Sequence, residues 1–205
     1  MRIKLFVKKF PGANLLYIIF STILEDIRSG RLRTLLFVGL GNFLPDLLIF
    51  GYIRPFLWKL AGSKIASPFS SIIRKNCYIE VGRNLVAGRG IQINRNVYFN
   101  NHGSIILGNH VRISEGCKLV TDSHKGQTGS EDINKNIVVG NNCLLYVGAI
   151  LTPGSQMYDG SILTAGSVLH GSATTNTVYW GNPARKLMTQ DNVENEGSNS
   201  DIRSF

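Results

Sequence analysis

Residues 139–174 read VGNNCL LYVGAI LTPGSQ MYDGSI LTAGSV LHGSAT, units of one length that follow one another without a gap. Each opens on an apolar side chain (Val139, Leu145, Leu151, Met157, Leu163, Leu169), continues through small or polar residues, and places a small residue at its fifth position. A period of six is too short for a helical hairpin or a propeller blade. It suits one short extended face, with the opening apolar residue turned inward and Gly, Asn or Asp making the corner. Three such faces close a triangular coil of about 18 residues, and stacked coils pair as parallel strands about 4.8 Å apart. The inward side chains then form a ladder that is buried only by stacking, so the coils constitute one domain.

The same unit recurs upstream as VGRNLV AGRGIQ INRNVY from Val81 and as LGNHVR ISEGCK LVTDSH from Leu107, with two extra residues around Ile105 between the blocks. About six coils are expected between residues 63 and 180. An antiparallel sandwich would instead alternate with period two and turn at longer intervals.

One interruption is informative. Residues 125–136, rich in Gly, Ser, Asp and Asn, cannot continue the apolar ladder and must leave the prism at a corner. A flat-walled prism has no pocket of its own, so this excursion creates a concave site, with His124 as its last anchored residue. Asp122 stands two residues earlier on the same extended segment, able to hydrogen-bond the imidazole or a ligand, or to serve as a turn residue.

The 205 residues are 43% hydrophobic and carry 22 Lys and Arg against 13 Asp and Glu, enough apolar content for a core and a net charge of +9. No basic run interleaved with aromatics and no nucleic-acid module is present, so nucleic acid is not expected as a partner. Cys77, Cys117 and Cys143 fall at scattered repeat positions and read as small core residues in a reducing cytoplasm. The histidines lack metal-ligand spacing, and no metal is expected.

Residues 1–62 do not repeat and hold nine basic against three acidic side chains. NLLYIIFSTIL is too short to span a bilayer, which takes about 20 apolar residues. The longer run of residues 34–60 carries Pro45 and Asp46 at its middle, and an unsatisfied Asp there is costly. An N-terminal helical segment is expected. It either lies in a membrane interface, as its basic flanks and Tyr52, Phe56 and Trp58 suggest, or packs on the β domain or a neighbouring subunit. Residues 189–205 are almost free of apolar side chains and are expected to form a flexible tail.

The repeats, the TDSH before the excursion and the closing VYWGNPARKL together resemble the hexapeptide-repeat acyltransferases, and most nearly the bacterial O-acetyltransferases of sugars and surface polysaccharides. The resemblance covers residues 63–188 and implies a mainly β, left-handed parallel β-helix. It also implies an acetyl-CoA-dependent enzyme working as a homotrimer with sites between subunits, in the cytoplasm or peripherally at the inner face of its membrane. It implies that His124 is the general base that takes the proton of an attacking sugar hydroxyl, a task suited to imidazole. Asn100, in VYFNNHG, matches an acceptor-binding asparagine, or is a corner residue. Ala165 and Gly166 would line the pantetheine arm of the donor, and Arg185 and Lys186 would meet its phosphates. The chain departs from the family where Leu144, Tyr146 and Val147 replace Trp, Gly and Ser, and where His170, Gly171 and Ser172 replace Thr-Lys-Asp. The acceptor is expected to be a sugar or a lipid-linked saccharide. An N-acyltransferase on an amino-sugar nucleotide and a non-catalytic β-helix scaffold are the other readings, and only the last makes His124 dispensable.

Overall fold

The opening residues of the hexapeptides do point inward. Val139, Leu145, Leu151, Met157, Leu163 and Leu169 are all buried, as are the small fifth-position residues Cys143, Ala149, Ser155, Ser161, Ser167 and Ala173. The structure, a computed structural model, describes residues 11–124 and 132–189. Residues 190–205, where the flexible tail is expected, lie outside the described residues, as do residues 125–131 of the expected excursion.

The first face of the prism stacks Lys64–Ser67, Leu85–Arg89, Ile105–Leu107, Ile137–Val139, Gln156–Met157 and Ser172–Ala173. The second stacks Ile72–Ile73, Gln92–Ile93, Arg112–Ile113, Leu144–Leu145, Ile162–Leu163 and Thr177–Trp180. The third holds Tyr78–Ile79, Tyr98–Asn100, Lys118–Val120, Ile150–Leu151 and Val168–Leu169. All pair in parallel within a face, so five coils are complete and a sixth contributes two sides. The chain ends by folding Arg185–Thr189 back antiparallel on Thr177–Trp180.

The corners explain the Gly and Asn positions of the repeat. Between the second and third faces, Asn76, Asn96, Gly116, Gly148 and Gly166 all take left-handed backbone angles, with φ from 58° at Asn96 to 71° at Gly116. That conformation penalises a Cβ, which leaves Gly and Asn as the common occupants.

Three helices precede the prism: α1 (Pro11–Ser29), α2 (Arg31–Phe43) and α3 (Leu48–Leu60). Helix α3 covers the open end of the solenoid, where Trp58 lies edge-on to Phe99 at 5.8 Å between ring centroids. Close approach is possible because Gly51 faces Ile72; a Cβ there would stand 3.1 Å from Ile72 Cγ2. Arg54, fully buried in α3, donates to the carbonyls of Gly41, Leu44 and Pro45 and so satisfies the C-terminal end of α2. No described helix is long and apolar enough to cross a membrane.

Asp46, which divides the long apolar run, sits in the turn between α2 and α3 and pairs with Arg95 and Arg74. These guanidiniums, Arg95 first, hold its carboxyl below the usual range. A carboxyl with a lowered folded pKa adds stability above its unfolded pKa of about 3.9 and loses it as pH falls through the folded value. The partners are partly exposed, which limits the effect. Asp46→Asn is therefore expected to lower the thermal midpoint at pH 7 by roughly 2 to 4 °C. Melting curves of the two proteins should converge as pH falls through the lowered folded pKa, and a constant difference at all pH values would contradict the ion-pair account.

Candidate active site

The excursion begins earlier than its composition suggests. Thr121 is the last residue held by the coil: its N–H and Oγ1 donate to Asn100 O at 3.0 and 3.1 Å, and its carbonyl accepts from Lys135 N at 2.8 Å. Asp122–His124 already rises from the corner as one arm of an antiparallel pair with Asp132–Asn134, His124 standing opposite Asp132. His124 is thus not the last anchored residue but part of a projecting arm, because two strands leaving together can satisfy each other's backbone groups once the coil no longer does. Its side chain lies outside what the structure describes. On the return side, Asn136 Oδ1 accepts from Ser104 N at 2.9 Å, and the coil resumes at Ile137.

The corner beneath the arm concentrates polar groups. Asn100 ends its strand on the third face, in register with Val120, and Glu80 precedes it by one coil, donating its N–H to Phe99 O. Asn100 Oδ1 and Asp122 Oδ1 are both buried and have no hydrogen-bond donor among the described residues. A buried acceptor left unmade costs about 1–3 kcal/mol, so two at one corner are a poor structural arrangement and a good binding one. The neighbouring Asn101 is fully buried and plainly structural, exchanging hydrogen bonds with the backbone of Val81 at 3.0 and 2.8 Å.

His102 is a residue the sequence reading passed over. Its Nε2 lies 2.8 Å from Glu80 Oε2, close enough for an ion pair although Oε2 lacks a well-aligned donor. Arg31 Nη2 lies 3.1 Å from His102 Nδ1. The same Nη2 lies 3.4 Å from His102 Nε2, so the guanidinium contacts both ring nitrogens. Arg31 and Glu80 also line a cleft of about 360 Å³ between α2 and the third face, with Leu32, Leu35, Val38 and Tyr78 as its apolar wall. Tyr78 stacks on Tyr98, 5.1 Å apart and 7° from parallel, and burial, then Glu80, pushes its phenol pKa up, leaving it a neutral donor. What placed His102 here is the two-residue lengthening of the 101–104 corner, a signal present in the sequence as the shift of register.

The other candidate residues gather at the far end of the prism, across the width of the third face. Gly166 (φ 66°) and Ala165 are exposed at the corner where that face begins. Gly148 and Gly116 occupy the same corner in the two preceding coils, and a Cβ on any of the three glycines would meet nothing within 4 Å. The result is an open edge over three coils at which a ligand can reach the backbone; the sequence reading found only its last member. Ala184 N donates to Val168 O at 2.8 Å and Gly181 N to Ser167 Oγ at 2.9 Å, which seats the closing GNPARK turn beside this edge. Arg185 and Lys186 follow it, opposite Trp180 and Tyr179, and both are exposed.

The cysteines are inert. Burial pushes the Cys77 thiol up to about 12 and Cys117 to about 11, and raises Cys143, so none is a nucleophile. His110 fills a left-handed corner (φ 57°), and His170 contacts Thr152 Oγ1 at 3.1 Å.

Comparison with known proteins bears on this arrangement. No protein-family model matches the chain. Over 144 residues it is 32% identical to WcaF of Escherichia coli K12, a protein assigned as a colanic acid biosynthesis acetyltransferase, across 70% of this chain and 77% of that one. The fold matches galactoside acetyltransferase, solved in complex with coenzyme A, with a TM-score of 0.75 and 20% identity over 88% of this chain and 90% of that one. It also matches a hexapeptide-repeat acetyltransferase of Vibrio cholerae, solved with acetyl coenzyme A, with a TM-score of 0.71 and 23% identity over 80% and 89% of the two chains. At these identities the solved structures speak for the fold alone.

Proposed function

The chain belongs to the hexapeptide-repeat acetyltransferases, and from that premise we propose that it transfers an acetyl group from acetyl-CoA to a hydroxyl of a saccharide used in surface-polysaccharide synthesis. The observation that carries the reading is the pair of unpartnered buried acceptors, Asn100 Oδ1 and Asp122 Oδ1, at the foot of the arm that bears His124. A polyhydroxylated acceptor supplies the donors these oxygens lack.

In this reading the acceptor oxygen attacks the thioester carbonyl as His124 removes its proton; the C–S bond then breaks and the thiolate leaves with that proton. Ala165, Gly166 and the open edge below them bear the pantetheine arm, and Arg185 and Lys186 face the phosphates. Donor edge and acceptor corner lie on opposite margins of one face. A closed homotrimer with C3 symmetry sets the edge of one protomer beside the corner of the next, and we assign the working unit to such a trimer. The three buried, free thiols agree with a cytoplasmic location. The apolar faces of the helices agree with docking on the inner membrane surface, where a lipid-linked acceptor is presented.

The test is acetyl-CoA thioester release over a panel of sugars and saccharide diphosphates, with the product scored as alkali-labile ester or stable amide. Asn100→Ala and Asp122→Asn are each expected to raise the acceptor KM by about 10-fold or more while leaving the KM for acetyl-CoA unchanged. Amide product, or equal effects on both KM values, would contradict the assignment.

A further inference from the structure

A second site lies around the corner from the first and takes no part in the chemistry above. Arg33 of α2, Lys59 of α3, Lys64 of the first strand and Arg83 of the corner line one open cleft of about 640 Å³, with no acidic residue in its wall. None of these four cations has a carboxylate partner among the described residues. Arg33 Nε donates to Leu60 O and Arg83 Nη1 to Arg28 O, whereas the other last carbonyls of α3 take backbone donors, Leu57 O from Ala61 N, Trp58 O from Ser63 N and Lys59 O from Gly62 N, and so make no use of Lys59 or Lys64. In the same wall Ser63 is 2% exposed, and its hydroxyl has no hydrogen-bond partner among the described residues. Four gathered cations with a spare hydroxyl form a receptor for a phosphate-bearing anion.

The surroundings say which kind. The helices that supply Arg33 and Lys59 also expose Leu36 and Leu40, about one and two turns beyond Arg33, and Leu60, next to Lys59. Charge in the cleft and apolar side chains beside it match an anionic amphiphile, with its headgroup in the cleft and its chains against the helices. We propose that the cleft formed by Arg33, Lys59, Lys64 and Arg83 binds the phosphate headgroup of an anionic membrane lipid and so fixes how the enzyme sits on the bilayer. The assignment rests on the interfacial docking proposed above and adds the residues that would recognise the surface.

The experiment is co-sedimentation of the full chain with phosphatidylcholine vesicles, with and without phosphatidylglycerol. Each cation near an anionic surface contributes about 1 kcal/mol, so Lys59→Gln with Lys64→Gln should weaken partitioning onto the anionic vesicles by about 30-fold. The control, Lys75→Gln with Arg89→Gln, removes the same charge elsewhere and should stay near the parent. Salt of about 0.5 M should abolish the difference. Equal losses for both pairs, or none for either, would overturn the cleft while leaving docking in place. A parent that sediments with neither vesicle overturns docking and cleft together and gives the apolar faces to subunit contacts. Inorganic phosphate that displaces the parent better than chloride at equal ionic strength reassigns the cleft to free phosphate. Acetyl transfer to a water-soluble acceptor, measured in parallel, should be the same in all three proteins; its absence throughout would defeat the enzyme reading without touching the vesicle result.

Discussion

His124→Ala should leave the β-helix folded and lower turnover by about 10²-fold or more. The loss belongs to kcat, because a general base acts as the acceptor oxygen attacks and contributes little to holding the ground state. The arm that bears His124 is anchored through Thr121 and the backbone pairing of Asp122 with Asn134, neither of which uses the imidazole. The variant should therefore keep the parent's thermal midpoint and sediment as the parent does. It should also lose the acid limb of the pH–rate profile, which reports protonation of the base. Full activity in His124→Ala would remove the histidine from the mechanism and favour a scaffold; a monomer for both proteins would remove the site between subunits.

The architecture could be read from residues 139–174 because the repeat couples one-dimensional sequence to a one-dimensional stack. Each inward position has the same environment as its neighbour one coil away, so Leu145 and Leu163 pair directly and one hexapeptide predicts the next. The readable part ends where the environment is no longer periodic. Composition placed the start of the excursion at Lys125, yet Asp122 and Ser123 had already left the coil; TDS is as compatible with a corner as with an outgoing strand, and only pairing with Asp132–Asn134 decides. His102 was invisible for the same reason. Its role depends on Glu80, twenty-two residues upstream, and on Arg31 of a helix that no repeat constrains.

The helices show the opposite limit. Their sequence supports both packing and membrane contact, and the structure shows which residues of one helix pack. Trp58 and Arg54 of α3 turn into the protein, whereas Leu48, Ile49 and Tyr52 of the same helix stay exposed. An apolar run does not announce which of its faces meets protein. Asp46 did mark the interruption correctly, since a carboxylate flanked by Arg74 and Arg95 belongs in a turn on the prism surface.

Trp58→Ala should be the most destabilising of the substitutions considered. A solenoid cannot bury its own terminal coil, so the open end needs a cap with an apolar underside. Here the cap is α3, and its indole, 1% exposed, reaches the fully buried Phe99 of the second coil. Truncation leaves a cavity that the neighbouring coils are too regular to collapse, at a cost of about 3–5 kcal/mol, or a fall in thermal midpoint of roughly 6 to 20 °C for a chain of this size. Phe43→Ala is the reference, because Phe43 is 84% exposed and its loss should change stability by less than about 0.5 kcal/mol. Both midpoints must be taken at one protein concentration, since an oligomer's stability depends on it. Were the helices merely a membrane tether hung on a self-sufficient prism, Trp58→Ala would melt with the parent. A large shift for Trp58 beside none for Phe43 would mean that α3 closes the core with the face that bears Trp58.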